Sequence, residues 1–142
     1  MPKMIFVNLP VADLEPATAF YAAIGARKNP QFSDHTAACM AFSDVIHVML
    51  LTHDKFRQFT PKPISDAKTS NQALFCLSAD TRNEVDAIVG KAEAAGGVAD
   101  PGPKDEYSFM YGRSFEDPDG HMWGVNWMDM AAVPPQPATA NA

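Results

Sequence analysis

The four histidines, His35, His47, His53 and His121, are the side chains whose ordinary pKa best suits moving a proton or ligating a metal near neutral pH. They come from separate segments and include no i, i+4 pair, so no helical metal site is written locally. Cys39 and Cys76 form no Cys-x-x-Cys pair, as expected of single thiols in a reduced, cytoplasmic protein. Arg113 is the cation best suited to hold a carboxylate or phosphate in two parallel hydrogen bonds, with Glu116 or Asp105 as its alternative surface partners. Any site in this chain must be assembled by the fold from distant strands.

The strongest local signal for that fold is Asp117-Pro118-Asp119-Gly120. Asp at i, Pro at i+1 and Gly at i+3 are the preferences of a type I turn, and apolar runs on both sides predict a hairpin of 107–115 with 121–127. Upstream, Met4 to Leu9 reads as a strand, and Asp13 caps a helix through Ala17, Phe20, Tyr21 and Ile24 that stops at Gly25. An extended piece over 27–32 and a hairpin of 36–42 with 45–51 follow, turning at Ser43-Asp44. The order then repeats. Ala73 to Ser78 is a strand, Asp80 or Thr81 caps a helix through Val85, Ile88, Val89 and Ala92, and a poorly patterned edge near Val98 precedes the last hairpin.

The reading is one domain over 1–130, with β-α-β-β-β modules at 4–52 and 72–129. Between them, 53–71 holds Pro61, Pro63 and four of the eleven basic residues, and reads as a linker or cavity-edge loop. From 131 to 142 the Ala- and Pro-rich composition predicts a disordered tail. A hydrophobic share of 46% with 20% charged residues is that of a globular protein. A net charge of −6 argues against nucleic acid or an anionic membrane as partner, and is compatible with a cationic ligand as well as with solubility alone. Met1-Pro2-Lys3 leads into an apolar run, 4–11, too short to span a bilayer.

The paired plan resembles the vicinal oxygen chelate superfamily of glyoxalase I, extradiol dioxygenases and bleomycin-resistance proteins. Leu9-Pro10-Val11-Ala12-Asp13-Leu14 with Phe20-Tyr21 and Gly25 is similar to its opening motif, and Phe115-Glu116-Asp117-Pro118-Asp119-Gly120-His121 to its closing hairpin. The resemblance implies an α+β fold: two tandem modules forming a curled, barrel-like mixed sheet with helices on the convex side. It also implies a site on the concave face, where metalloenzymes of this kind hold a divalent ion by residues on the first and fourth strand of each module. Carried over, those positions are Phe6, Met49, Leu74 and Gly124, none of which offers a hard donor. No metal or other cofactor is therefore expected.

The same carry-over sets the strand faces, since side chains alternate. Met4, Phe6, Asn8, His47, Met49, Leu51, Leu74, Cys76, Met122, Gly124, Asn126 and Met128 face the cavity. If Asp117 opposes Gly120, Gly124 pairs with Arg113 and Asn126 with Tyr111, and the same pairing at Ser43-Asp44 sets Met40 beside His47. Five methionines then share one surface with His47, the candidate catalytic base, while Arg113 and Tyr111 reach the space left by Gly124. His121 faces Glu116 across the hairpin, and Phe75, Leu77, Trp123, Val125 and Trp127 pack under the helices. Cys39 and Cys76 fall on opposite sheet faces, so no disulfide joins them. The expected ligand set is Phe6, Asn8, His47, Met49, Leu74, Tyr111, Arg113, Met122, Gly124 and Asn126. The expected function is metal-free binding of a small organic molecule by a homodimer. The alternative is a glyoxalase-like lyase or dioxygenase, metal-dependent through other ligands or metal-free with His47.

Overall fold

A computed structural model describes residues 2–133. Two helix starts follow directly from side-chain chemistry. Asp13 accepts from the Glu15 amide at 3.2 Å and opens α1, Leu14–Ala23. Thr81 accepts from the Glu84 amide at 3.0 Å while Glu84 Oε2 accepts from the Asp80 amide at 2.7 Å, a reciprocal cap that opens α3, Arg82–Ala94.

Around these helices lie two open mixed sheets. In the first, β1 (Ile5–Val11) runs parallel to β4 (Ile46–Thr52), followed by antiparallel β3 (Ala37–Ala41) and β2 (Arg27–Asn29). In the second, β5 (Phe75–Ala79) runs parallel to β9 (Met122–Met128), followed by antiparallel β8 (Met110–Glu116) and β6 (Val98–Ala99). The two strand orders are the same, 1-4-3-2 and 5-9-8-6, so the internal repeat is one of topology as well as sequence. The α+β class holds, with the sheets open, not closed into a barrel.

Three elements were not anticipated. Pro30–Phe32 is a 3-10 turn rather than extended chain. A short strand, β7 (Asp105–Tyr107), pairs with β8 and gives the second sheet five strands. The segment after β4 opens with a helical turn, α2 (His53–Arg57), capped by Thr52. Beyond 133, the tail expected to be disordered lies outside the described residues.

One core serves both sheets. Phe20 and Tyr21 of α1 and Val85 and Val89 of α3 are fully buried, against Met40, Val48 and Leu50 from the first sheet and Phe115 and Val125 from the second. Phe75, Leu77, Trp123, Val125 and Trp127 lie in or against this core, as expected from strand alternation. Inside it, Trp123 Nε1 donates to the Tyr21 hydroxyl at 3.1 Å, and that hydroxyl donates to Asp117 Oδ2 at 2.6 Å. Burial pushes both the Tyr21 phenol and the Asp117 carboxyl above their usual pKa.

Candidate functional site

The strand faces turned away from the core are the first candidate surface. On the first sheet, Phe6, Asn8, His47 and Met49 share a face, with Phe6 beside His47 and Asn8 beside Met49 in the parallel register. The Phe6 ring stacks on the His47 imidazole, centroids 4.7 Å apart and planes 10° apart. His47 is only 8% exposed. Its Nε2 lies 3.0 Å from the Asp44 carbonyl, which can only accept, so Nε2 carries the proton. Nδ1 faces the Cys39 thiol at 3.9 Å, and burial raises that thiol's pKa. On the second sheet, Cys76, Met122, Gly124 and Asn126 share a face, with Asn126 Nδ2 2.8 Å from Cys76 Sγ. Leu74, just ahead of β5, is 68% exposed.

Arg113 and Tyr111 are not on this surface. The hairpin turns as expected at Asp117, with Gly120 N donating to Asp117 O at 3.0 Å, but Asp117 N also donates to His121 O at 3.0 Å. Gly120, at φ +95°, is the bulge residue that follows the type I turn. Asp117 therefore opposes His121, and every partner on β8 moves by one residue: Gly124 faces Ser114, and Arg113 faces Val125. A one-residue shift turns a side chain to the other face. Tyr111 Oη donates to Asp86 of α3 at 2.6 Å. Arg113 is held by Asp86 at 3.0 Å and, through two nitrogens, by Asp100 at 2.9 and 2.6 Å. These are its partners in place of Glu116 or Asp105, and they tie α3 and the chain after β6 to the second sheet.

The first hairpin carries the same correction. Phe42 N donates to Ile46 O at 2.9 Å across a three-residue loop, so His47 pairs with Ala41 and not Met40. Met40 is completely buried in the common core. Of the remaining cavity-facing methionines, Met49 lies on the first sheet and Met122 and Met128 on the second. Cys39 pairs with Met49 and Cys76 with Gly124, so both thiols sit on faces turned from the core, on separate sheets, and both are free. His121 does not face Glu116. Its Nε2 donates to the Pro10 carbonyl at 2.8 Å, a bond between modules.

The four carried-over positions separate into two pairs, Phe6 with Met49 on the first sheet and Leu74 with Gly124 beside the second. Three offer no side-chain donor and the fourth a soft thioether, so this set does not fit a hard divalent cation. Among the described residues, no group of three His, Cys, Asp or Glu is arranged to hold a metal ion. No helix among them is long and apolar enough to cross a membrane.

A second candidate takes only Asn8 and Met122 from the expected set. A cleft of about 590 Å³ lies between β1, the 53–71 segment and the start of the second sheet. Its walls include Asn8, Phe56, Lys62, Ile64, Phe75 and Met122. The segment is pinned at one end: a Cβ on Gly120 would come within 2.7 Å of the Lys68 amide nitrogen and 2.9 Å of the Ala67 carbonyl carbon. The clustered prolines and basic residues of 53–71 were the available signal, and the cavity-edge reading of them named no individual residue.

Similar structures agree with this architecture. A hypothetical protein from S. aureus is 26% identical with TM-score 0.74, over 89% of this chain and 94% of that one. A glyoxalase/bleomycin resistance protein/dioxygenase family enzyme from Burkholderia phytofirmans is 20% identical with TM-score 0.73, over 89% and 99%. A lactoylglutathione lyase from Agrobacterium tumefaciens is 21% identical with TM-score 0.64, over 94% and 100%. At such identities the last two show a shared fold and nothing more. No curated protein matches the chain. Residues 3–125 match the family model, and with the same strand order, 1-4-3-2 and 5-9-8-6, in its two sheets this chain belongs to the Glyoxalase/Bleomycin resistance protein/Dioxygenase superfamily.

Proposed function

We propose that this chain is a small-molecule binding protein that works without a resident divalent metal, its ligand lodged against the sheet faces turned from the core. The observation that supports this reading is the chemistry of Phe6, Met49, Leu74 and Gly124, the positions to which the family resemblance carries the metal-ligand sites, which offer an apolar lining and no hard donor. Phe6 is 49% and Leu74 68% exposed, apolar surface left for a ligand or a second copy to cover. Because the two pairs sit on separate sheets that share a core on their other sides, a second copy of the chain supplies the facing wall. Free thiols at Cys39 and Cys76 are in keeping with a reducing, cytoplasmic setting.

The rival is a lyase or dioxygenase like the Agrobacterium enzyme, either through other metal ligands or with His47 as base. His47 favours binding over catalysis: both ring nitrogens face chain atoms and Phe6 covers the ring. A base must reach the proton that it takes.

Elemental analysis of protein purified without chelator or histidine tag, before and after incubation with Ni, Zn, Fe and Mn, tests the reading. We expect less than about a tenth of an equivalent of any metal, because tight sites need matched donors. Near-stoichiometric metal overturns it. A small-molecule panel screened by thermal shift should then yield binders that raise Tm by mass action. Gly124→Trp, which fills the face, should abolish the shift.

A further inference from the structure

We infer that the cleft between the two modules is a second ligand site, for a small organic monocarboxylate with an apolar body. The cleft shares Asn8 and Met122 with the outward sheet faces but not Phe6, His47 or Gly124, so its occupancy can be tested apart from theirs. A volume of about 590 Å³ is within the range of small-molecule sites. Phe56, Ile64, Phe75 and Met122 supply apolar wall, while Asn8 and Asn71 supply amide groups. Lys62 is the one lysine or arginine in the wall, and no Asp or Glu lines it.

That isolation decides the charge of the ligand. An adjoining cavity of about 370 Å³ also holds cations, Arg57 and Lys68, but Asp66 and Asp119 line it too. Arg57 is further paired with Asp54 at 3.0 Å. There the charges cancel. In the larger cleft Lys62 has no ion-pair partner among the described residues. No lysine among the described residues is ion-paired, and Lys62 is exposed at the rim. What sets this cleft apart is a wall with one lysine and no Asp or Glu, suited to one anionic group and not to a dianion. A carboxylate at Lys62 leaves the rest of such a molecule against the Phe56 and Phe75 rings.

The cleft is also anchored on both sides. The Ala67–Lys68 backbone passes over Gly120 with no room for a side chain, and Nε2 of His121 bonds Pro10 across the floor. Its shape is therefore present before a ligand arrives, which lowers the ordering cost of binding.

Isothermal titration of the full chain with 1-naphthoate, and with uncharged 1-naphthalenemethanol of the same shape, tests the inference. We expect naphthoate to bind once per chain, at least ten-fold more tightly than the alcohol. Lys62→Met should remove that preference while leaving the weak alcohol binding, and Met122→Trp should abolish both. Phe6→Ala, on the outward sheet face, should leave naphthoate binding unchanged. No binding, equal affinity for the two probes, or an unchanged preference in Lys62→Met overturns the proposal. Loss of naphthoate binding in Phe6→Ala instead assigns the ligand to the outward face and also overturns it.

Discussion

Gly120 answers to two constraints at one position. Its φ of +95° is a conformation that side chains rarely adopt, and the Ala67–Lys68 backbone occupies the space where a Cβ would go. Neither can yield cheaply, because the backbone there cannot swing aside like a long side chain. Gly120→Ala should therefore destabilise the fold by about 2 kcal/mol, the strain of a non-glycine residue at positive φ plus the close approach. Urea unfolding followed by Trp fluorescence measures it. Gly25, also at positive φ but with open space around it, should lose less on the same substitution. An equal loss at both positions would mean that the pinned linker contributes nothing.

At the level of elements, much was legible and the errors share one cause. α1, α3 and the repeated β-α-β-β-β order followed from caps, glycines and apolar periodicity, without α2 and β7, and the faces of β1, β4, β5 and β9 came out as expected. The third strand of each module was read one residue out of register. Each hairpin has a three-residue loop, so Asp117 opposes His121 and Phe42 opposes Ile46. In the second hairpin the signal was present, since Gly after a type I turn marks a bulge. In the first, Ser43-Asp44-Val45 carries no such glycine. That single slip moved Arg113, Tyr111 and Met40 to the wrong side. The cleft was legible only at Asn8, Met122 and the cavity-edge reading of 53–71, for another reason: its residues come from segments far apart in the chain, and no periodicity joins them.

Arg113, once its true partners are known, makes a pH prediction. It holds Asp100 below the ordinary carboxylate pKa, and Tyr111 followed by Arg113 does the same for Asp86. A carboxylate depressed in the folded state adds stability above its unfolded pKa, and loses it as pH falls through the folded value. At pH 7, Arg113→Met should cost about 1 kcal/mol, since Asp86 is largely exposed and solvent screens the pair. The gap between wild type and variant should narrow as pH falls below the usual carboxylate range near 3.8. Asp117 acts in the opposite sense. Its raised pKa lets the folded state keep a proton longer, so its own contribution declines as pH rises out of that range. A gap independent of pH would show that Arg113 acts by packing alone.

For the whole molecule, the decisive property is that one core lies between two sheets and leaves both outward faces available. If two copies close over those faces, analytical ultracentrifugation at micromolar concentration should give a dimer. Leu74→Glu, a change at a 68% exposed side chain, should give a monomer with an unchanged circular dichroism spectrum. A monomeric wild type, or a dimer indifferent to Leu74→Glu, would overturn the closure.

The bonds from the last turn back to the first module have a different consequence. Asp119 accepts from the Ala12 amide at 2.8 Å, His121 donates to Pro10, and Asp117 closes the buried triad with Tyr21, all across about a hundred residues of chain. The amino-terminal half is made first by the ribosome, yet the groups that complete its core are synthesised about a hundred residues later. A nascent chain stalled anywhere before residue 117 should thus remain sensitive to protease, with Phe20 and Tyr21 open to chaperones. Protection should appear in one step when the closing hairpin clears the exit tunnel.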